Sequence, residues 1–261
     1  MTDAPQPSDL PVLGHTARHT QAERAVAQQL CDAFEGSALP LSLRLQNFPR
    51  HVRRQDLARF LAKYEIFKQV LTVNASIAEC GVFAGGGIMA WHDCSAILEP
   101  YNHTRRIVGF DTFSGFPAVH EKDLAAGESE HLHAGALRTS NTMQGEIEGL
   151  VALHDRNRPL GHIPKVELVA GDACANIPAY RGAHPHLLFS LLYLDFDIYE
   201  PTRVALEHLY PRVVKGGIVA FDELNCPEFS GETSAPLGTL ALKQVELRRF
   251  PFGPYSSYFA A

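Results

Sequence analysis

Ser76-Ile77-Ala78-Glu79-Cys80-Gly81-Val82-Phe83-Ala84-Gly85-Gly86-Gly87 is a short apolar run that closes on glycines and leads into a helical stretch over residues 88–98. A strand that turns through glycine into a helix is the first half of a β-α-β unit. The same rhythm returns downstream. Residues 106–110 form a strand closed by Asp111, and residues 166–170 one closed by Gly171 and Asp172. Residues 187–194 (LLFSLLYL) are nearly all apolar, as suits a central strand covered on both faces. A helix over 199–210 and a fifth strand over 217–221 follow. Alternating strands and helices imply parallel pairing through right-handed crossovers. From Gln244 onward two β-like stretches suit an antiparallel edge.

Upstream, Ala25, Val26, Leu30 and Phe34 recur at helical spacing over 21–34. Leu57, Phe60, Leu61, Tyr64, Phe67, Val70 and Leu71 do so over 53–73. The division expected is therefore an arm and helical cap at 1–73, with Pro5, Pro7 and Pro11 in a loosely draped start, and a sheet domain at 74–261. Residues 118–140 are polar, rich in Glu, His and Gly, and lack periodicity. A connection this long beside Asp111 reads as a lid, with His120, His131 and His133 either closing over a ligand or merely solvated.

The 261 residues, 46% hydrophobic and 20% charged, are enough for a globular domain with its own core. A net charge of -6 offers no footprint for a nucleic-acid backbone. No run approaches the roughly 18 apolar residues of a membrane span. The first twenty residues lack the basic and apolar regions of a secretory leader. The five cysteines form no C-x-x-C pair, so buried thiols in a reducing, cytoplasmic setting are expected.

Ligands of open α/β sheets sit beyond the carboxyl ends of the strands. At the first end, glycines permit close backbone approach and the following helix offers free N–H groups, although tight helix-on-strand packing is an alternative use. Phe83 stands where a G-x-G-x-x-G dinucleotide loop needs glycine. Asp111 suits both hydroxyls of a ribose, or a solvated turn. Asp172 suits an exocyclic amine, a helix N-cap, or both. The acidic signal is stronger: Leu194-Asp195-Phe196-Asp197 ends the fourth strand and Phe221-Asp222-Glu223 the fifth. Four converging carboxylates repel one another unless a cation sits among them, and Mg²⁺ or Mn²⁺ prefers such oxygen donors. Alternation would turn Asp195 and Asp197 the same way if strand geometry extends that far.

Glu79 to Gly86, Gly109-Phe110-Asp111-Thr112-Phe113 with Gly115-Phe116-Pro117, Leu194 to Asp197 followed by Tyr199-Glu200-Pro201-Thr202, and Phe221-Asp222-Glu223 occur in one order. Together they resemble the macrocin O-methyltransferase family over about residues 64–258. The resemblance implies an α/β class I methyltransferase (Rossmann-like) fold with a mostly parallel seven-stranded sheet. It also implies S-adenosylmethionine as methyl donor and a Mg²⁺-assisted methylation of a sugar hydroxyl, in natural-product or surface-glycan biosynthesis. Carried over by position, Glu79, Gly81 and Gly85 would line the methionine side, Asp111 the ribose and Asp172 the adenine. Val82, Phe83, Gly86, Thr112, Ser114, Ala173 and Asp195 would complete the cofactor site. Asp195, Asp222 and Glu223 would hold the metal, and Asp197 would be the general base. The family more often carries Asp where this chain has Glu223. Glu232, just beyond the metal strand, is a further acceptor-side candidate.

Two rivals remain at this level. One is a metal-dependent methyltransferase of catechol-like phenols. The other is an NAD-dependent nucleotide-sugar oxidoreductase, which normally needs Tyr-x-x-x-Lys; Tyr64 and Lys68 have that spacing but precede the sheet. The partner is expected to be a sugar-containing small molecule, with neither nucleic acid nor membrane, and the helical cap suits a homo-oligomer.

Overall fold

β1 (Ser76–Cys80) is buried along its whole length and pairs in parallel with β2 (Ile107–Asp111) on one side and β4 (Phe189–Leu194) on the other. This computed structural model describes residues 20–125, 131–253 and 256–261. The expected arm, about the first fifteen residues, lies outside the described residues, as do 126–130 of the expected lid.

Seven strands form one sheet in the order β3-β2-β1-β4-β5-β7-β6. The chain starts in the middle, runs outward through β2 and β3 (Val166–Ala170), then returns to β4 and β5 (Val213–Phe221). β7 (Ser257–Ala260) is antiparallel to β5, and β6 (Arg248–Arg249) antiparallel to β7, as the tail foretold. The order reverses between β1 and β4, which opens a crevice at their carboxyl ends.

The central strands β1, β4 and β5 send alternate side chains to two cores. Ile77, Leu191, Tyr193 and Ile218 pack with α3 (Arg54–Val70), α4 (Gly86–Leu98) and α5 (Met143–Asp155). Ala78, Leu192, Leu194 and Val219 pack with α6 (Ala173–Ala183), α7 (Tyr199–His208) and α8 (Ser230–Thr239). α3 therefore stands N-terminal to residue 73 yet shares the sheet's core through Ala62, Ile66, Phe67 and Val70. Arg105 ties them further, donating to Val70 O and Val73 O at 3.0 Å and to Ala75 O at 2.9 Å.

α1 (Gln21–Glu35) begins on a capping box, Thr20 with Glu23, and buries none of its residues. α2 (Leu41–Gln46), α5, α6 and α8 were not read from the sequence. Gly145 and Gly149 dilute the pattern of α5, while Pro178 and Pro236 stand inside α6 and α8. Packing against the sheet overrides those local preferences. No helix of the described residues is long and apolar enough to cross a membrane.

Candidate active site

Gly81, directly after β1, makes the crevice possible. Its φ of 99° is left-handed, and a Cβ there would stand 1.9 Å from the Asp195 carbonyl oxygen. The backbones of β1 and β4 thus meet at their ends, where Asp195 N–H donates to Cys80 O at 2.7 Å. Next to it, Asp222 N–H donates to Leu194 O at 3.0 Å. These parallel bonds set the acids of β4 and β5 side by side.

A cleft of about 360 Å³ lies over this rim. Every candidate cofactor, metal and catalytic residue named from the sequence lines it except Gly85 and Ser114. Gly85 turns toward α5 instead, since a Cβ on it would meet Ile147 at 2.7 Å. Asp111 accepts from the N–H groups of Val82 (2.7 Å) and Phe83 (2.8 Å) on one oxygen and of Phe113 (2.6 Å) on the other. It thereby fixes the glycine loop, using three of a carboxylate's roughly four lone-pair sites. Asp172 caps α6, accepting from Cys174 N–H at 2.9 Å, and also lines the cleft, so its two readings coexist. Within the lid segment, His131 lines the cleft, whereas His120 and His133 do not.

β4 stops at Leu194, so strand alternation does not orient Asp197. A left-handed turn at Asp197, φ 64°, brings it to the cleft beside Asp195. Glu232 holds that turn. Fully buried on α8, it accepts from Asp197 N–H at 3.3 Å and from Glu223 N–H at 3.0 Å, clamping the ends of β4 and β5 together. It lies outside the cleft lining, so its part is to position the rim rather than to meet an acceptor.

Two cations went unread in the sequence. Lys63 and Arg59, four residues apart on α3, both line the cleft. Lys63 Nζ lies 3.8 Å from Glu79 Oε1 and 3.6 Å from the centre of the Tyr193 ring. Arg59 Nη2 lies 3.8 Å from Glu223 Oε1. Their helical spacing, with Asp56 one turn before, was the signal available. Burial alone would lower the Arg59 pKa, but Asp222, Asp195 and Glu223 raise it overall. Burial would likewise raise Asp222, yet Lys63, Arg59 and hydrogen bonds from the Tyr193 and Ser256 hydroxyls hold it below its usual value. Desolvation and the neighbouring Asp222 push Asp195 well above the carboxylate range. Desolvation, Asp195 and Glu223 do the same to Asp197. The rim thus has more carboxylates than its two cations neutralise, and oxygen donors short of positive charge fit a hard divalent ion. Among the described residues, however, the one trio of possible ligands with atoms all within 4.8 Å of one another is His92, Asp93 and His154, not the rim acids.

A family model described as macrocin-O-methyltransferase (TylF) matches residues 53–231. The chain belongs to that family. Its sheet is the class I methyltransferase fold, α/β and mostly parallel, as the motifs implied. It is similar to the crystal structure of CalS11, a calicheamicin methyltransferase, at 32% identity and a TM-score of 0.89 over 99% of both chains. The apo structure of CalS11, described as a TDP-rhamnose 3'-O-methyltransferase of calicheamicin biosynthesis, matches at 32% identity and a TM-score of 0.80, over 93% of this chain and 96% of that one. A Streptomyces olivaceus relative, 8-demethyl-8-(2,3-dimethoxy-alpha-L-rhamnosyl)-tetracenomycin-C 4'-O-methyltransferase, is 30% identical over 155 residues. That stretch is 58% of this chain and 53% of the relative, so this family member aligns with about half the length of its curated relative.

Proposed function

We propose that this chain is an S-adenosylmethionine- and Mg²⁺-dependent O-methyltransferase acting on a hydroxyl of a sugar in natural-product biosynthesis. The observation that carries this reading is the rim itself. Asp195, Asp197, Asp222 and Glu223 share one cleft with the glycine loop at the sheet's switch point. Relatives whose names specify TDP-rhamnose and a rhamnosyl glycoside support a deoxysugar, nucleotide-linked or glycosidic, as acceptor.

Glu79, Gly81, Val82, Phe83, Gly86, Asp111, Thr112, Asp172 and Ala173 would hold the methyl donor. Asp195, Asp222 and Glu223 would hold Mg²⁺ or Mn²⁺. When bound, the donor supplies an electrophilic methyl group and the ion lowers the pKa of the acceptor hydroxyl. Asp197 takes the hydroxyl proton as general base. Burial and the neighbouring Asp195 and Glu223 raise its pKa, and added positive charge in the rim favours its ionised, proton-accepting form. Lys63 and Arg59 hold part of the acidic charge, and Glu232 fixes the angle at which Asp197 meets the acceptor. Phe116, Pro117, His131 and Leu137 wall the cleft on the lid side.

Free thiols at Cys31, Cys80, Cys94 and Cys174 accord with a cytoplasmic setting. Among the described residues, α1 and α2 have no buried side chain and expose Val26, Leu41, Leu43 and Leu45, which favours a homo-oligomer. Light scattering would test that.

The deciding experiment supplies labelled S-adenosylmethionine with nucleotide-linked deoxysugars, glycosides and catechols, each with Mg²⁺ or with EDTA. Label is expected in a sugar, and only with the cation. Turnover of catechols alone, or turnover indifferent to EDTA, would overturn the reading.

A further inference from the structure

We propose that His92, Asp93 and His154 form a second metal site, for a borderline transition ion such as Zn²⁺, that cross-links α4 to α5. It is separate from the acidic rim and differs from it in chemistry, having two imidazole nitrogens and one carboxylate. One donor atom from each residue lies within 4.8 Å of the other two. His92 Nδ1 is 3.3 Å, and His154 Nδ1 2.9 Å, from the same oxygen, Asp93 Oδ1. Metal–ligand bonds of ~2.0–2.1 Å place neighbouring ligand atoms about 2.9–3.4 Å apart, so both spacings suit one ion.

The surrounding hydrogen bonds dictate which ring nitrogen is free. His92 is buried, at 1% exposure, and its Nε2 lies 3.1 Å from Asp155 Oδ1. Asp155 Oδ1 also accepts from Arg158 Nε at 2.6 Å, so that oxygen is an acceptor and the bond to it takes the hydrogen on His92 Nε2. With Nε2 engaged by Asp155, Nδ1 is the ring nitrogen that faces the Asp93 oxygen, 3.3 Å away, and the one a metal ion between the helices would meet. A carboxylate that fixes the far nitrogen of a ligating histidine is the usual outer support of such sites. The ion has a structural consequence as well. α4 leaves the glycine loop and α5 follows the lid segment, with Ile147 of α5 packed over Gly85. Joining the two helices holds that side of the loop in place.

The test is equilibrium dialysis of Zn²⁺ against the full chain, with millimolar Mg²⁺ present to compete at the oxygen-only rim. The wild-type chain should bind Zn²⁺. Asp155→Asn, which keeps all three ligands, should weaken binding by ~10–100-fold, and His154→Ala by at least as much. His154 is half-exposed, so its removal spares the core, and circular dichroism would verify folding. Asp222→Asn should leave Zn²⁺ binding unchanged. Absence of wild-type binding, equal binding by His154→Ala, or loss of binding in Asp222→Asn would each overturn the site.

Discussion

The Lys63 ammonium on α3 lies 3.8 Å from the Glu79 carboxylate on β1, with both side chains buried. A helix that precedes the sheet thus delivers a positive charge beneath the glycine loop, next to Tyr193 and Asp222.

Removing that charge should be costly. Lys63→Met keeps the volume but leaves a buried carboxylate without its cation, a change worth ~3 kcal/mol when the acid is ionised. In a chain of this size that is about 6–12 °C in Tm, read at pH 8 by thermal denaturation. The double variant Lys63→Met with Glu79→Gln should recover most of the loss. If it does not, the pair is not the source of the stability.

Glu79 also sets a pH dependence. Burial pushes its pKa up to about 7 from 4.5, against the pull of Lys63. Between those values the folded chain holds a proton that the unfolded chain has released. Its contribution is therefore fully present below pH 4.5 and lost as pH rises through 7. Glu79→Gln lacks this slope. The stability difference between variant and wild type should move in the variant's favour by roughly 2–3 kcal/mol from pH 5 to pH 8. Parallel curves in denaturant titrations would refute the assignment.

Glu232 accepts one backbone N–H from each side of the rim. Glu232→Gln retains one acceptor oxygen and sets an amide donor against the other N–H. A destabilisation of about 1–3 kcal/mol follows from the unsatisfied pair. Because the misplaced N–H belongs to Asp197 or Glu223, kcat should fall more than donor affinity, which steady-state kinetics with a binding isotherm would reveal.

Asp197→Asn should fold normally, since asparagine tolerates the left-handed φ of 64° found there. Loss of the base should lower kcat by ~10²–10⁴-fold. Calorimetric affinity for S-adenosylhomocysteine should stay within twofold of wild type, because Asp197 is assigned to the acceptor hydroxyl and not to the methyl donor. Undiminished turnover would remove Asp197 as base.

The acids Asp195, Asp197, Asp222 and Glu223 were legible because each follows an apolar strand run, and charge at the end of a buried strand stands out against its neighbours. The strands were legible for the same reason. α5, α6 and α8 were not, because their glycines and prolines contradict the helical pattern, and only contact with the sheet outweighs them. Lys63 and Arg59 were hidden in an ordinary helical stripe, and their i,i+4 spacing marks a shared face without telling a lysine that snorkels to solvent from one aimed at a buried carboxylate.

The order of strands and helices, the parallel pairing and the acid-rich ends of β4 and β5 are written in periodicity and residue type, which depend on near neighbours in the chain. The location of the balancing cations, the clamp by Glu232, the turn that aims Asp197 and the meeting of His92 with His154 depend on tertiary structure. Each joins residues distant in sequence, and its energy comes from burial and charge that exist only once the sheet and its helices have packed.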